Sequence, residues 1–134
     1  MPKTNRALEF HDSRVSEISR HSDAIVIKFQ NAYIHSSYGE PGITDGQGWS
    51  QEIEITLSHA RILNHPEIIP AQLADGRISI DQQSFENLIP LPIQRSGLVL
   101  MELITEHSEV LRVQSASIES REIGAACFVE DYKA

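Results

Sequence analysis

The chain has 134 residues, 40% of them hydrophobic and 22% charged, which is enough apolar material for one folded domain (residues 1–134) and excludes a disordered chain. Its 19 acidic and 11 basic side chains give a formal charge of −8, which argues against nucleic acid and membrane surfaces as partners and favours a protein partner with a basic surface. The single cysteine and the absence of a signal-like or spanning apolar run predict a cytoplasmic protein without disulfides.

Alternating apolar residues predict β-strands along most of the chain. The predicted strands cover residues 15–19, 24–35, 51–63, 77–80, 85–91, 98–105, 110–117 and 125–131. Polar turns at residues 20–23 and 106–109 predict hairpins, and only residues 60–64 and 66–73 leave room for a helical turn. The predicted fold class is therefore all-β: an antiparallel sandwich or a partly open barrel of about seven to nine strands, with at most one short helix.

Four of the seven glycines lie between residues 39 and 48, in a segment bounded by Tyr38 and by Trp49, the only tryptophan. A long loop in a compact domain is often functional, and aromatic residues are enriched at recognition surfaces. The segment lacks the phosphate-binding, dinucleotide-binding and calcium-loop patterns. It predicts a recognition loop, extended by the acidic face of Glu52 and Glu54; the alternative is that Trp49 packs over the end of the sheet and pins the loop.

The segment His11-Asp12-Ser13 places an imidazole, a carboxylate and a hydroxyl side by side. In an extended strand His11 and Ser13 face one side and Asp12 the other, which argues against a catalytic triad. The three residues are candidates for a binding surface, or for local capping of backbone amides. His11 and Asp12 could also bind a metal with His35 if the first strand lies beside residues 24–35, although no metal-binding motif is present.

Near the C-terminus, Cys127 has apolar neighbours in the sequence, which predicts an inert, protonated thiol. Glu130 and Asp131 are adjacent and should face opposite sides of a strand, so they do not predict a shared acid–base site. A proline-free edge strand in this region could pair across a twofold axis, which leaves a homodimer possible.

Three segments resemble small uncharacterised bacterial β proteins: residues 8–13, 32–35 and 128–132. A His-Asp-Ser opening followed by a β-hairpin is also similar to some immunity proteins of polymorphic toxin systems. The resemblance implies a β-sheet domain that acts by binding, for which an acidic charge would suit a basic toxin, and it transfers no catalytic residue.

These observations together predict a non-enzymatic recognition domain without a cofactor. The residues predicted to bind the partner or ligand are Tyr38, Trp49, Glu52, Glu54, His11, Asp12 and Ser13. The alternative is a small metal-dependent hydrolase that uses His11, Asp12 and His35.

Overall fold

The computed structural model describes residues 4–134 and confirms the all-β fold class. The strands are β1 (Asn5–His21), β2 (Ala24–Ser37), β3 (Gly46–Ser58), β4 (Arg61–Asn64), β5 (Ala71–Ile80), β6 (Gln83–Glu86), β7 (Leu88–Leu91), β8 (Gln94–Thr105) and β9 (Val110–Tyr132). The described part of the chain forms no helix, and hence none long and apolar enough to span a membrane.

The nine strands form one antiparallel sheet in the order β6-β5-β8-β9-β3-β2-β1-β7, with β4 added beside β9. The sheet curls because β1 is long enough to pair with different strands along its length. Near its middle, Arg14 and Val15 pair with β5, and this closes one end into a ring. Towards the start of β1, Arg6 to Glu9 pair with β7 instead, so the other end stays open. The sheet is therefore partly ring-like without being a closed barrel.

The core lies on the inner face of the ring, as the alternation of side chains predicts. In β2, Ile25 and Ile27 are fully buried, and in β3 Leu57 and Ile55 are fully buried opposite them. Burial of side chains of this size contributes roughly 1.5–3 kcal/mol each. Polar residues such as Glu54 alternate with them and lie on the outer face, so the expected separation of an apolar and a wetted face in β3 is confirmed.

Two predicted strands at the C-terminus, residues 110–117 and 125–131, are parts of the single strand β9. The interruption between them is a bulge: between the pairs Ser50–Cys127 and Glu52–Ile123 the register of β9 against β3 shifts. Gly124 lies inside this bulge with a φ of +72°, a conformation that glycine adopts at little cost. The residues between the two predicted segments therefore form a bend within β9 and do not end the strand.

The predicted glycine-rich loop is shorter than the sequence indicates. Strand β2 continues to Ser37 and β3 begins at Gly46, which leaves only residues 38–45 as the loop. Gly48 and Trp49 belong to β3, so the expectation that the loop extends to the tryptophan is wrong. Glycine at position 48 supports strand packing, because the side chain of Tyr33 in β2 lies over it.

Candidate functional site

Polar and aromatic side chains gather on the outer face at the open end, where β1, β2, β3 and β9 run side by side. Residues directly opposite in antiparallel strands project to the same face. Glu9 lies opposite Tyr33, and Gly48 lies between His35 and Glu130. We call this group the outer-face cluster; its members are Glu9, His11, Asp12, Tyr33, His35, Glu130 and Tyr132.

His35 is the buried centre of the outer-face cluster, with 4% of its surface exposed. Its ring packs edge-on against Tyr33 and Tyr132, with centroid distances of 5.0 and 5.1 Å. Its Nε2 lies 2.8 Å from Oε1 of Glu9, and because a carboxylate oxygen accepts, Nε2 carries the hydrogen and donates. The other ring nitrogen, Nδ1, is buried and has no hydrogen-bond partner within residues 4–134. The ring thus holds Glu9 in one orientation.

A bulge in β1 places His11 and Asp12 beside Glu9. The register against β2 shifts between Glu9 and Arg14, and Asp12 has a φ of +74°. The bulge is fixed from the β6–β7 turn, where the side-chain oxygen of Asn87 accepts a hydrogen bond of 2.9 Å from the His11 backbone N–H. As a result Nδ1 of His11 lies 3.5 Å from Oδ2 of Asp12 and 3.8 Å from Oε2 of Glu9.

Ser13 is turned inward by the same bulge and is fully buried. Its hydroxyl donates to the Glu9 carbonyl at 2.5 Å and accepts from the Tyr33 backbone N–H at 2.9 Å. The expectation that His11 and Ser13 share a face, with Asp12 opposite, is therefore wrong, because it assumed regular strand geometry. Through these two hydrogen bonds Ser13 joins β1 to β2 beneath the outer-face cluster.

The structure brings together two of the three residues considered for a metal. His11 and Asp12 converge with Glu9, and one donor atom from each lies within 4.8 Å of the others. His35 reaches this group only through Glu9. Sequence reasoning missed Glu9, although its spacing of two residues from His11 places both on one strand face and was a usable signal.

Tyr33 crosses the cluster from β2 to β9. Its hydroxyl donates to Oε1 of Glu130 at 2.7 Å. A Cβ atom on Gly48 would lie only 2.1 Å from the tyrosine oxygen, so glycine at this position makes room for the side chain. Desolvation, together with the hydrogen bond to Glu130, raises the pKa of Tyr33 well above its ordinary value.

The loop at residues 38–45 closes one side of the cluster. The Tyr132 hydroxyl donates to the Gly42 carbonyl at 2.8 Å, which attaches the loop to the end of β9. Tyr38 is 73% exposed and Ile43 is 56% exposed, so the loop presents apolar side chains to solvent. The predicted binding residue Tyr38 therefore lies on an accessible surface.

Trp49 lies on the inner face, opposite the core residue Ile34, and packs edge-on against Phe128 with a centroid distance of 5.5 Å. Phe128 is 52% exposed because the sheet is open at this end. Trp49 lines a shallow groove of about 420 Å³ together with Arg6 and Glu122, which form an ion pair. We call this the inner groove. Packing of Trp49 on the sheet agrees with the alternative considered from the sequence.

Along the groove, β9 has an unpaired backbone edge. Strand β8 pairs with β9 only as far as Glu119, and the Ser120 backbone N–H bonds to Ile93. From Arg121 to Tyr132, β9 pairs with β3 on its other side, and no strand in the described part of the chain covers the edge that β8 leaves. We call residues 121–132 the free edge of β9.

Glu52 and Glu54 are partly exposed on the outer face of β3, and Oε2 of Glu54 lies 3.7 Å from a guanidinium nitrogen of Arg121. Cys127 is exposed, so the expectation of an apolar environment for its thiol is wrong. Its apolar neighbours in the sequence do not enclose it, because β9 has one neighbouring strand at this point in the described part of the chain.

Comparisons with family models, with curated proteins and with solved structures found no match.

Proposed function

We propose that this chain is a non-enzymatic recognition domain that binds a protein partner at the open end of its sheet. The observation that carries the proposal is the free edge of β9, which lies beside the inner groove and carries the exposed Phe128. An unpaired edge presents a row of backbone N–H and C=O groups that can pair with another chain. A partner segment in an extended conformation would bind there by adding one strand to the sheet.

The inner groove supplies a place for a side chain of that added strand. Phe128 is half exposed on the free edge and packs edge-on against Trp49, which lines the groove. Aromatic anchors at the centre of an interface account for much of its binding free energy. Backbone pairing would give affinity, and the aromatic pair would select an apolar or aromatic side chain.

The charge of the chain favours a basic partner. The free edge contains Glu122, Glu130 and Asp131, and the whole chain has a formal charge of −8. Complementary charge speeds encounter and disfavours acidic partners. A basic toxin, as the resemblance to immunity proteins implies, is one partner of this kind; a second copy of the chain is acidic itself and fits the charge less well.

The alternative function, a metal-dependent hydrolase using His11, Asp12 and His35, has less support. His35 is 4% exposed and directs Nε2 to Glu9, so it does not share a substrate with the other two residues. His11 and Asp12 project from the outer face with most of their side chains exposed, away from the inner groove.

The test is a selection of peptides from a random displayed library on the full chain, followed by calorimetry with the peptides recovered. We expect basic peptides with an aromatic or apolar anchor, and hydrogen exchange that slows on binding in residues 121–132. Phe128→Lys should weaken binding at least tenfold, about 1.4 kcal/mol, because it removes the anchor. Leu98→Lys is the matched control, since Leu98 is similarly exposed, at 57%, outside the free edge.

Two outcomes would oppose the proposal. One is a selection that recovers no peptide whose binding depends on Phe128. The other is protection from exchange that lies outside residues 121–132. Sedimentation of the free chain separates partner binding from self-association, because a dimer formed through the same edge would dissociate in Phe128→Lys and persist in Leu98→Lys.

A further inference from the structure

We infer that Glu9, His11 and Asp12 form a binding site for one divalent transition-metal ion, with Zn²⁺ as the best fit. None of the three residues belongs to the free edge of β9, so this inference goes beyond the proposed recognition function and does not depend on it.

The distances between the donor atoms match those that a zinc ion imposes. Ligand atoms about 2.0–2.1 Å from zinc at tetrahedral angles lie roughly 3.4 Å from one another. Nδ1 of His11 lies 3.5 Å from Oδ2 of Asp12 and 3.8 Å from Oε2 of Glu9. The remaining pair, one carboxylate oxygen each from Glu9 and Asp12, lies within 4.8 Å, so all three donors face the same small volume.

His35 positions the first of these ligands. It is 4% exposed, and its Nε2–H is directed into the group, at Oε1 of Glu9, which leaves Oε2 to face His11. A buried hydrogen bond that orients a ligating side chain is the usual outer-shell arrangement of a metal site. Among the described residues the buried Nδ1 of His35 has no hydrogen-bond partner, which costs free energy, while the bond from Nε2 fixes the orientation of Glu9.

The charge at this point of the surface also fits a cation. Two carboxylates lie within reach of one ion, and within residues 4–134 the ion-pair partners of Glu9 and Asp12 are histidines alone. Like charges this close repel each other, and a dication between them converts that repulsion into attraction. No lysine or arginine of the described chain already fills that role.

The donor set selects the class of metal. One imidazole nitrogen and two carboxylate oxygens suit zinc and its transition-metal neighbours, whereas Mg²⁺ and Ca²⁺ need more oxygen ligands than these side chains offer. The side chains of His11 and Asp12 are 57% and 58% exposed, so solvent can complete the coordination. We assign the site to ion binding and attach no reaction to it.

The experiment is calorimetric titration of the untagged full chain with ZnCl₂, and separately with MgCl₂. We expect one Zn²⁺ per chain and no comparable binding of Mg²⁺. His11→Ala should weaken Zn²⁺ binding by tenfold or more, because it removes the nitrogen ligand from an exposed position that the fold does not need. Co²⁺ absorption gives a second readout, with a ligand-field spectrum in the wild type that His11→Ala loses.

The matched control is His59→Ala. His59 and Asp23 form another exposed pair, with 2.6 Å between Nδ1 and Oδ2, but no third ligand from residues 4–134 accompanies them. Zn²⁺ binding that falls equally in His59→Ala and His11→Ala, or that survives both, would show adventitious histidine binding and overturn the assignment, as would a wild type that binds no Zn²⁺.

The positioning role of His35 is tested by comparing His35→Gln with His35→Leu. Glutamine can donate a hydrogen bond to Glu9 and leucine cannot, so the glutamine variant should retain more of the Zn²⁺ affinity at equal thermal stability. Equal affinities in two folded variants would remove His35 from the site. If either variant fails to fold, His11→Ala still decides whether the site exists.

Discussion

The Tyr33 hydroxyl donates a hydrogen bond of 2.7 Å to Glu130, and in doing so it passes over Gly48 of the strand between them. This contact joins β2 to the end of β9, residues that are 97 positions apart in the sequence. Within residues 4–134 the end of β9 pairs on one side only, so a side-chain bond across β3 adds a second attachment. The stability of the proposed binding edge is therefore linked to the outer-face cluster.

Gly48→Ala is expected to destabilise the protein by about 1–3 kcal/mol, because its Cβ would lie 2.1 Å from the Tyr33 oxygen and displace the ring. In the Tyr33→Ala background the same change should cost nothing or stabilise the protein, since alanine is better than glycine within a strand by roughly 0.5–1 kcal/mol. Urea unfolding of the four proteins of this double-mutant cycle measures the coupling. Additive effects would show that the tyrosine does not set the requirement for glycine.

Tyr33 should titrate above the ordinary tyrosine range, because burial and the hydrogen bond to Glu130 favour its neutral form. A pKa that is raised on folding contributes stability that is fully present below the unfolded value and is lost as the pH rises towards the folded value. Tyrosinate absorbance of the wild type should contain an alkaline step that is missing in Tyr33→Phe. The urea midpoint should fall with rising alkaline pH less steeply in Tyr33→Phe than in the wild type, and identical slopes would argue against the shift.

Ser13→Ala is expected to cost about 1–3 kcal/mol despite the small change in volume, because it leaves the Glu9 carbonyl and the Tyr33 N–H without their partner. Ser58→Ala is the control, at a half-buried position in β3, and should change the free energy of unfolding by less than about 0.5 kcal/mol. Chemical denaturation of both variants makes the comparison. A loss no larger at position 13 than at position 58 would mean that its hydroxyl does not join β1 to β2.

Much of the fold follows from local pattern. The alternation of Ile25 and Ile27 predicts the buried face of β2, and the turns at residues 20–23 and 106–109 predict two hairpins that the structure contains. These features depend on residues that are close together in the chain, so they can be predicted from a single sequence. The free edge could not be predicted in this way. It exists because the pairing of β8 with β9 ends at Glu119, and no local sequence pattern marks the point where two strands stop pairing.

The outer-face cluster was only partly predictable, for two physical reasons. The β1 bulge reverses the facing of Asp12 and Ser13, and its hydrogen-bond partner Asn87 lies far along the chain. The order of the strands places Glu130 beside Tyr33, which depends on the whole sheet. His11 and Asp12 were recognised by residue type, and the spacing of Glu9 from His11 was a usable signal, but the convergence of Asp12 with them depends on the bulge.

Asp12→Gly separates the proposed metal site from the stability of the fold. Asp12 has a φ of +74°, which glycine adopts more readily, and its carboxylate lies near that of Glu9. The change should leave the free energy of unfolding unchanged or raise it by up to about 1 kcal/mol, since strain and repulsion are both relieved. Zn²⁺ binding should weaken as much as in His11→Ala.

The control is Ser108→Gly, at a φ of +60° in the β8–β9 hairpin, which measures the effect of glycine on the backbone alone. A gain in stability that occurs only in Asp12→Gly would therefore come from the relief of repulsion between the carboxylates. Unweakened Zn²⁺ binding in Asp12→Gly would remove this residue from the ligand set, and a large loss of stability would show that the carboxylate supports the bulge.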